Sequence, residues 1–83
     1  MREQFKALLD EEYDWPADFH FKFIVPTEQV AALTELLKTD RIKLKASRNN
    51  RYTSINAWMK LSSSDEVIYV YDRIEQIPGI IAL

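Results

Sequence analysis

The sequence predicts an α+β sandwich, a four-stranded antiparallel sheet carrying two helices on one face, and three observations carry that reading. Three segments alternate apolar and polar residues with a period of two. Two others repeat apolar residues at helical spacing behind a good capping residue. The breakers between them set the order as a helix stub followed by β-α-β-β-α-β.

Phe5, Leu8 and Leu9 recur at helical spacing and predict a short N-terminal helix. The acidic run from Asp10 to Asp14 is expected to end it. Trp15-Pro16 closes it off, because a residue before proline avoids the helical region. From Asp18 to Val25 the chain alternates, with Phe19, Phe21, Phe23 and Val25 on one face and His20, Lys22 and Ile24 on the other. That is a strand with one buried side. Pro26 ends it, and Thr27 is placed as N-cap of a helix starting at Glu28. Val30, Leu33 and Leu37, flanked by Leu36, form its apolar stripe, with Lys38 near its C-terminus.

Arg41 to Ser47 alternates again, with Ile42, Leu44 and Ala46 expected to face inward. Arg48-Asn49-Asn50-Arg51 reads as a turn, since asparagine accepts positive φ at low cost. The strand from Tyr52 to Leu61 places Ile55, Ala57, Met59 and Leu61 on the core face and Tyr52, Ser54, Asn56, Trp58 and Lys60 opposite. Ser63-x-x-Glu66 is a capping box. The VIYVYDRI stretch behind it is rich in strand formers, yet Val67, Val70, Tyr71 and Ile74 keep helical spacing. A helix is predicted. Pro78-Gly79 breaks it, and Ile80 to Leu83 supplies a short last strand. This order is the ferredoxin-like arrangement, with both helices on one face of the sheet and the other face open.

At 83 residues the chain holds one small domain, here divided into an acidic arm (1–14) and the sandwich proper (15–83). Such domains bury little surface, so a second copy would help stability. With no cysteine there is neither disulfide nor thiolate metal site, which fits a cytoplasmic location. No stretch approaches the roughly 18 apolar residues of a membrane span, and the N-terminus is unlike a signal peptide. The single glycine excludes a Gly-rich phosphate loop. The net charge of −2 hides a segregation. Residues 1–18 are mainly acidic, whereas 41–60 hold Arg41, Lys43, Lys45, Arg48, Arg51 and Lys60 and no acid. The two halves are expected to attract each other, within one molecule or between two.

Trp15-Pro16 before Phe19-x-Phe21-Lys22, then Ser47-Arg48-x-x-x-Tyr52-x-Ser54-Ile55, then Ile74-x-x-Ile77 running to Leu83 are three stretches that resemble the YbeD-like family of small bacterial proteins. The hairpin departs from the family pattern in having Asn49-Asn50 where a glycine would stand, and the acidic arm is longer. The resemblance implies a ferredoxin-like, ACT-like fold akin to regulatory domains that bind small molecules at sheet edges or dimer interfaces. It implies no activity; a link to lipoate metabolism suggested for relatives finds no support or opposition in these residues.

His20 is the sole histidine and has no partner at metal-binding spacing. The carboxylates between Asp10 and Asp14 lack the glycine of a calcium loop and read as a solvated arm. No nucleophile, acid–base pair or cofactor loop stands out, so neither an enzyme nor a cofactor is expected. What remains is a candidate interaction face of His20, Lys22, Lys43, Lys45, Arg48, Arg51, Tyr52, Trp58 and Lys60. Two functions compete for it. One is a regulatory or interaction module that meets a partner protein, a second copy as a homodimer, or a small anionic metabolite. The other is single-stranded RNA binding, with aromatics stacking bases and cations holding phosphates. The strand reading TSINAWMKL lacks the glycine-aromatic signature of that module and the pI is about 5.3, so nucleic acid is disfavoured.

Overall fold

The computed structural model describes residues 2–83. The elements are α1 (Arg2–Glu12), β1 (Ala17–Pro26), a 3-10 turn (Thr27–Gln29), α2 (Val30–Leu37), β2 (Ile42–Ala46), β3 (Tyr52–Leu61), α3 (Ser64–Ile74) and β4 (Ile81–Ala82). The sheet order is β2-β3-β1-β4, all antiparallel. This is the ferredoxin-like arrangement. β1 pairs with β3 over its whole length, from Ala17 opposite Leu61 to Pro26 opposite Tyr52.

The period-two pattern of β1 becomes a buried stripe because each inward residue meets another on β3. Phe19 faces Met59, Phe21 faces Ala57, Phe23 faces Ile55 and Val25 faces Thr53. Phe21, Phe23, Val25, Ile55 and Ala57 are wholly buried, joined from the helices by Leu33, Leu37, Val67 and Ile74. Full burial of one such side chain is worth about 1.5–3 kcal/mol, which is how so small a domain offsets its ordering entropy.

The second helix forms despite its strand-favouring residues. The Ser63 hydroxyl accepts from the Glu66 amide at 3.3 Å, and the Glu66 carboxylate accepts from the Ser62 amide at 2.9 Å. Two orphan donors are thereby satisfied at its first turn. Val67, Val70 and Ile74 then bury one stripe against the sheet. Helical spacing plus a cap outweighs β-propensity here.

Four local expectations are corrected. The N-terminal helix does not dissolve at Asp10 but runs to Glu12. Glutamate is a good helix former, and α1 is held by packing: Leu9 is buried and Phe5 meets Tyr71 edge-on at 5.7 Å. Thr27 caps nothing; its hydroxyl lies 3.0 Å from that of Thr53, and a 3-10 turn precedes α2. The inward face of β2 is covered only at Ile42, which packs half-buried against the core, while Leu44 is 53% exposed and Ala46 exposed. β4 is confined to Ile81 and Ala82 within the expected Ile80–Leu83.

The arm is also reassigned. α1 packs on α3, with Arg2 paired to Asp72 and Lys6 3.1 Å from Asp65 and 2.8 Å from the Ser64 hydroxyl. Its two cations supply the ion pairs of the junction. Beyond it, Tyr13 stacks on Trp15 and touches Phe19, and the Trp15 indole donates to Asp10 at 3.0 Å. The Trp15-Pro16 bond is cis. Asp10 is held below the ordinary carboxylate range by hydrogen bonds from Ser64 and then Trp15. The arm therefore lies on the helical side of the sheet and leaves the basic hairpin uncovered.

Candidate interaction face

Antiparallel register decides which outward residues are neighbours. His20 stands opposite Trp58, Lys22 opposite Asn56, and Asp18 opposite Lys60. On the other side of β3, Lys43 stands opposite Asn56 and Lys45 opposite Ser54. All share the face away from the helices. His20, Lys22, Lys43, Lys45, Trp58 and Lys60 thus lie on one surface, as expected. Arg48 and Arg51 flank it in the hairpin turn, where Asn50 takes φ 60°. The Asn49 side chain ties the turn together, accepting from the Ser47 hydroxyl at 3.0 Å and the Arg51 amide at 3.1 Å. The Tyr52 amide donates to the Ser47 hydroxyl at 3.2 Å. Asparagine in the left-handed region does what glycine does elsewhere.

At the centre, the His20 ring stacks on the Trp58 indole, centroids 4.8 Å apart and planes 5° from parallel. The Lys43 ammonium lies over the indole at 6.0 Å from its centroid. Because β3 runs between β1 and β2, the imidazole and the ammonium approach Trp58 from opposite sides. The far ring nitrogen of His20 is 2.7 Å from the Asn56 side-chain oxygen. A neutral amide is its partner, so no carboxylate relay is built on the imidazole.

The charge balance is one-sided. Arg41 grips Asp18 with both guanidinium nitrogens, at 2.8 and 2.7 Å. That bidentate bond pulls Asp18 below its ordinary range and raises Arg41. Through this ion pair the acidic and basic halves meet, as expected. Lys22, Lys43, Lys45, Arg48 and Arg51 make no ion pair among the described residues.

An apolar end of the same face was not singled out from sequence. Ile24, Ile81 and Leu83 share it, since Ile24 pairs with Ile81 and the Leu83 amide donates to the Lys22 carbonyl at 2.9 Å. Ile24, Lys45, Tyr52 and Ser54 line a shallow hollow of about 240 Å³ there. The outward parity of Ile24 was the available signal; the contribution of β4 required the fold. A second concavity, about 420 Å³, lies on the opposite side between α2 and α3, over Met59 and Leu61. Arg73 folds across its wall, donating to the Tyr69 hydroxyl at 2.8 Å.

The model of a family described as a protein of unknown function (DUF493) matches residues 10–83. The chain belongs to that family. The matched span takes in the whole sheet, α2, α3 and the end of α1, which agrees with the YbeD-like resemblance of the first strand and hairpin. DUF493 membership leaves the arm before Asp10 outside the shared region. No curated protein and no solved structure matches the chain. No helix among the described residues is long and apolar enough to cross a membrane.

Proposed function

We propose that this DUF493 protein is a non-enzymatic interaction module whose open sheet face docks an acidic partner protein. The observation that carries it is the row of cations, Lys22, Lys43 and Lys45, that make no ion pair among the described residues, around the stacked His20 and Trp58 and next to the apolar Ile24, Ile81 and Leu83. A net-negative chain has gathered positive charge on one surface, where Asp18, held by Arg41, is the carboxylate beside it. Opposed potentials of this kind steer and orient a partner. Two copies meeting face to face would oppose lysine to lysine, so the occupant is not a second copy on this face. The RNA reading loses support from the geometry of Trp58. Base stacking needs a free ring face, and the imidazole of His20 already stacks on the Trp58 indole.

Calorimetric titration with poly-L-glutamate and with poly-uridylate, at low and physiological salt, tests the proposal. Binding to poly-glutamate is expected, weakening with salt and lost in a Lys22→Glu, Lys60→Glu double variant. Tighter binding to poly-uridylate, lost on Trp58→Ala, would establish the nucleic-acid function instead. Heat from neither polymer would overturn the docking surface.

A further inference from the structure

We propose that the free edge of β2 takes an extended partner segment whose residues alternate apolar and acidic, adding a fifth strand to the sheet. The inference rests on the acidic-partner reading above and names the form that the partner takes.

β2 is an outer strand, paired only with β3. The Trp58 amide donates to the Arg41 carbonyl at 3.0 Å, and the Ser47 amide to the Tyr52 carbonyl at 2.7 Å. Hydrogen-bonded pairs recur at every second residue of an antiparallel ladder. Lys43 and Lys45 therefore turn their amide groups toward β3, and the Ser54 hydroxyl, 3.3 Å from the Lys45 carbonyl, agrees. Ile42, Leu44 and Ala46 turn theirs outward. No proline, bulge or covering element blunts this edge over Ile42–Ala46.

The side chains of the edge agree: its helix-facing side shows Leu44 53% exposed. The open side shows Lys43 and Lys45. A segment reading apolar–acidic–apolar–acidic–apolar sets its acids opposite the two lysines and its middle apolar residue opposite Leu44. Opposite charges and apolar pairs facing across a ladder stabilise it, and like charges destabilise it.

The charges of β2 also turn away a second copy. Pairing β2 with itself keeps open-face residues opposite open-face residues. In each central register a lysine of one copy then meets Lys43 or Lys45 of the other. Lysines on an edge commonly serve only to repel such self-pairing. The same comb that repels a copy complements an acidic strand, which is what distinguishes this occupant.

The probe is the capped peptide Thr-Val-Glu-Val-Glu-Val-Thr, titrated calorimetrically into the full chain, beside a version N-methylated at its valines. Methylation removes the amides that would meet Leu44 and its neighbours and leaves the charge untouched. The parent is expected to bind and the methylated peptide to fail. Lys43→Glu with Lys45→Glu should weaken the parent on the order of tenfold, and the same variant should accept a peptide with lysines in place of the glutamates. Equal binding of both peptides would overturn edge pairing while leaving the open-face reading intact. Binding of neither would show a merely protected edge, and the poly-glutamate titration would still judge the face separately.

Discussion

Asp18 lies near the start of β1 where Arg41 can reach it, and the forked hydrogen bond fixes both side chains across the sheet. Its carboxyl is held below the ordinary value by that bond. A carboxyl whose pKa is depressed on folding adds stability above its unfolded value, near 3.9, and loses it as pH falls through the folded value. Asp18→Asn should therefore lower the denaturation midpoint slightly at pH 6. The gap between variant and parent should close below about pH 4, and high salt should shrink it, because the pair is exposed. An undiminished gap at pH 2 would remove the pair from the account of acid sensitivity. At this scale the sequence was partly legible. Parity showed that His20 and Trp58 face outward, but their stacking needed the register that sets β1 against β3. Thr27 looked like a cap because hydroxyls usually serve there; a second threonine, Thr53, competed for it and won.

Elements were legible where a period and a terminus agreed. β1, β3 and α3 have both, and they form the core. β2 shows the limit: alternation tells which residues share a side but not whether anything covers that side. Leu44 stays exposed while Ile42, on the same side, packs half-buried against the core. β4 depends on a single backbone position. Gly79 has φ 74°, and a Cβ placed there would come within 2.8 Å of the Pro26 ring. A side chain in that left-handed region costs roughly 1–2 kcal/mol before any clash. Gly79→Ala should destabilise by at least that much and should speed hydrogen exchange at Leu83, whose amide bonds to the Lys22 carbonyl. Unchanged exchange at Leu83 would show that β4 is placed by other contacts.

Across the whole molecule the charges segregate, and apart from the Asp18–Arg41 pair the acidic arm and the basic hairpin stay on opposite sides of the sheet. Charge counting suggested an arm laid over the hairpin. Instead Arg2 and Lys6 bind acids of α3, and Phe5 and Leu9 add apolar contact. Totals along the chain do not reveal which few residues of an acidic segment do the binding. Reversing Lys43 and Lys45 to glutamate should leave proteolysis of the arm unchanged, whereas Lys6→Glu should accelerate cleavage within residues 2–12. Faster cleavage in the lysine-reversed hairpin would return the arm to the basic face.

Each layer of the sandwich also carries its own native optical reporter. Trp15 sits with Tyr13 among the helical-side aromatics, and Trp58 lies on the exposed layer beneath an imidazole and an ammonium. Replacing either with phenylalanine leaves an emission spectrum that watches one layer alone. Occupation of the outer layer would then register in Trp58 emission while Trp15 stays silent, and detachment of the N-terminal helix would do the reverse.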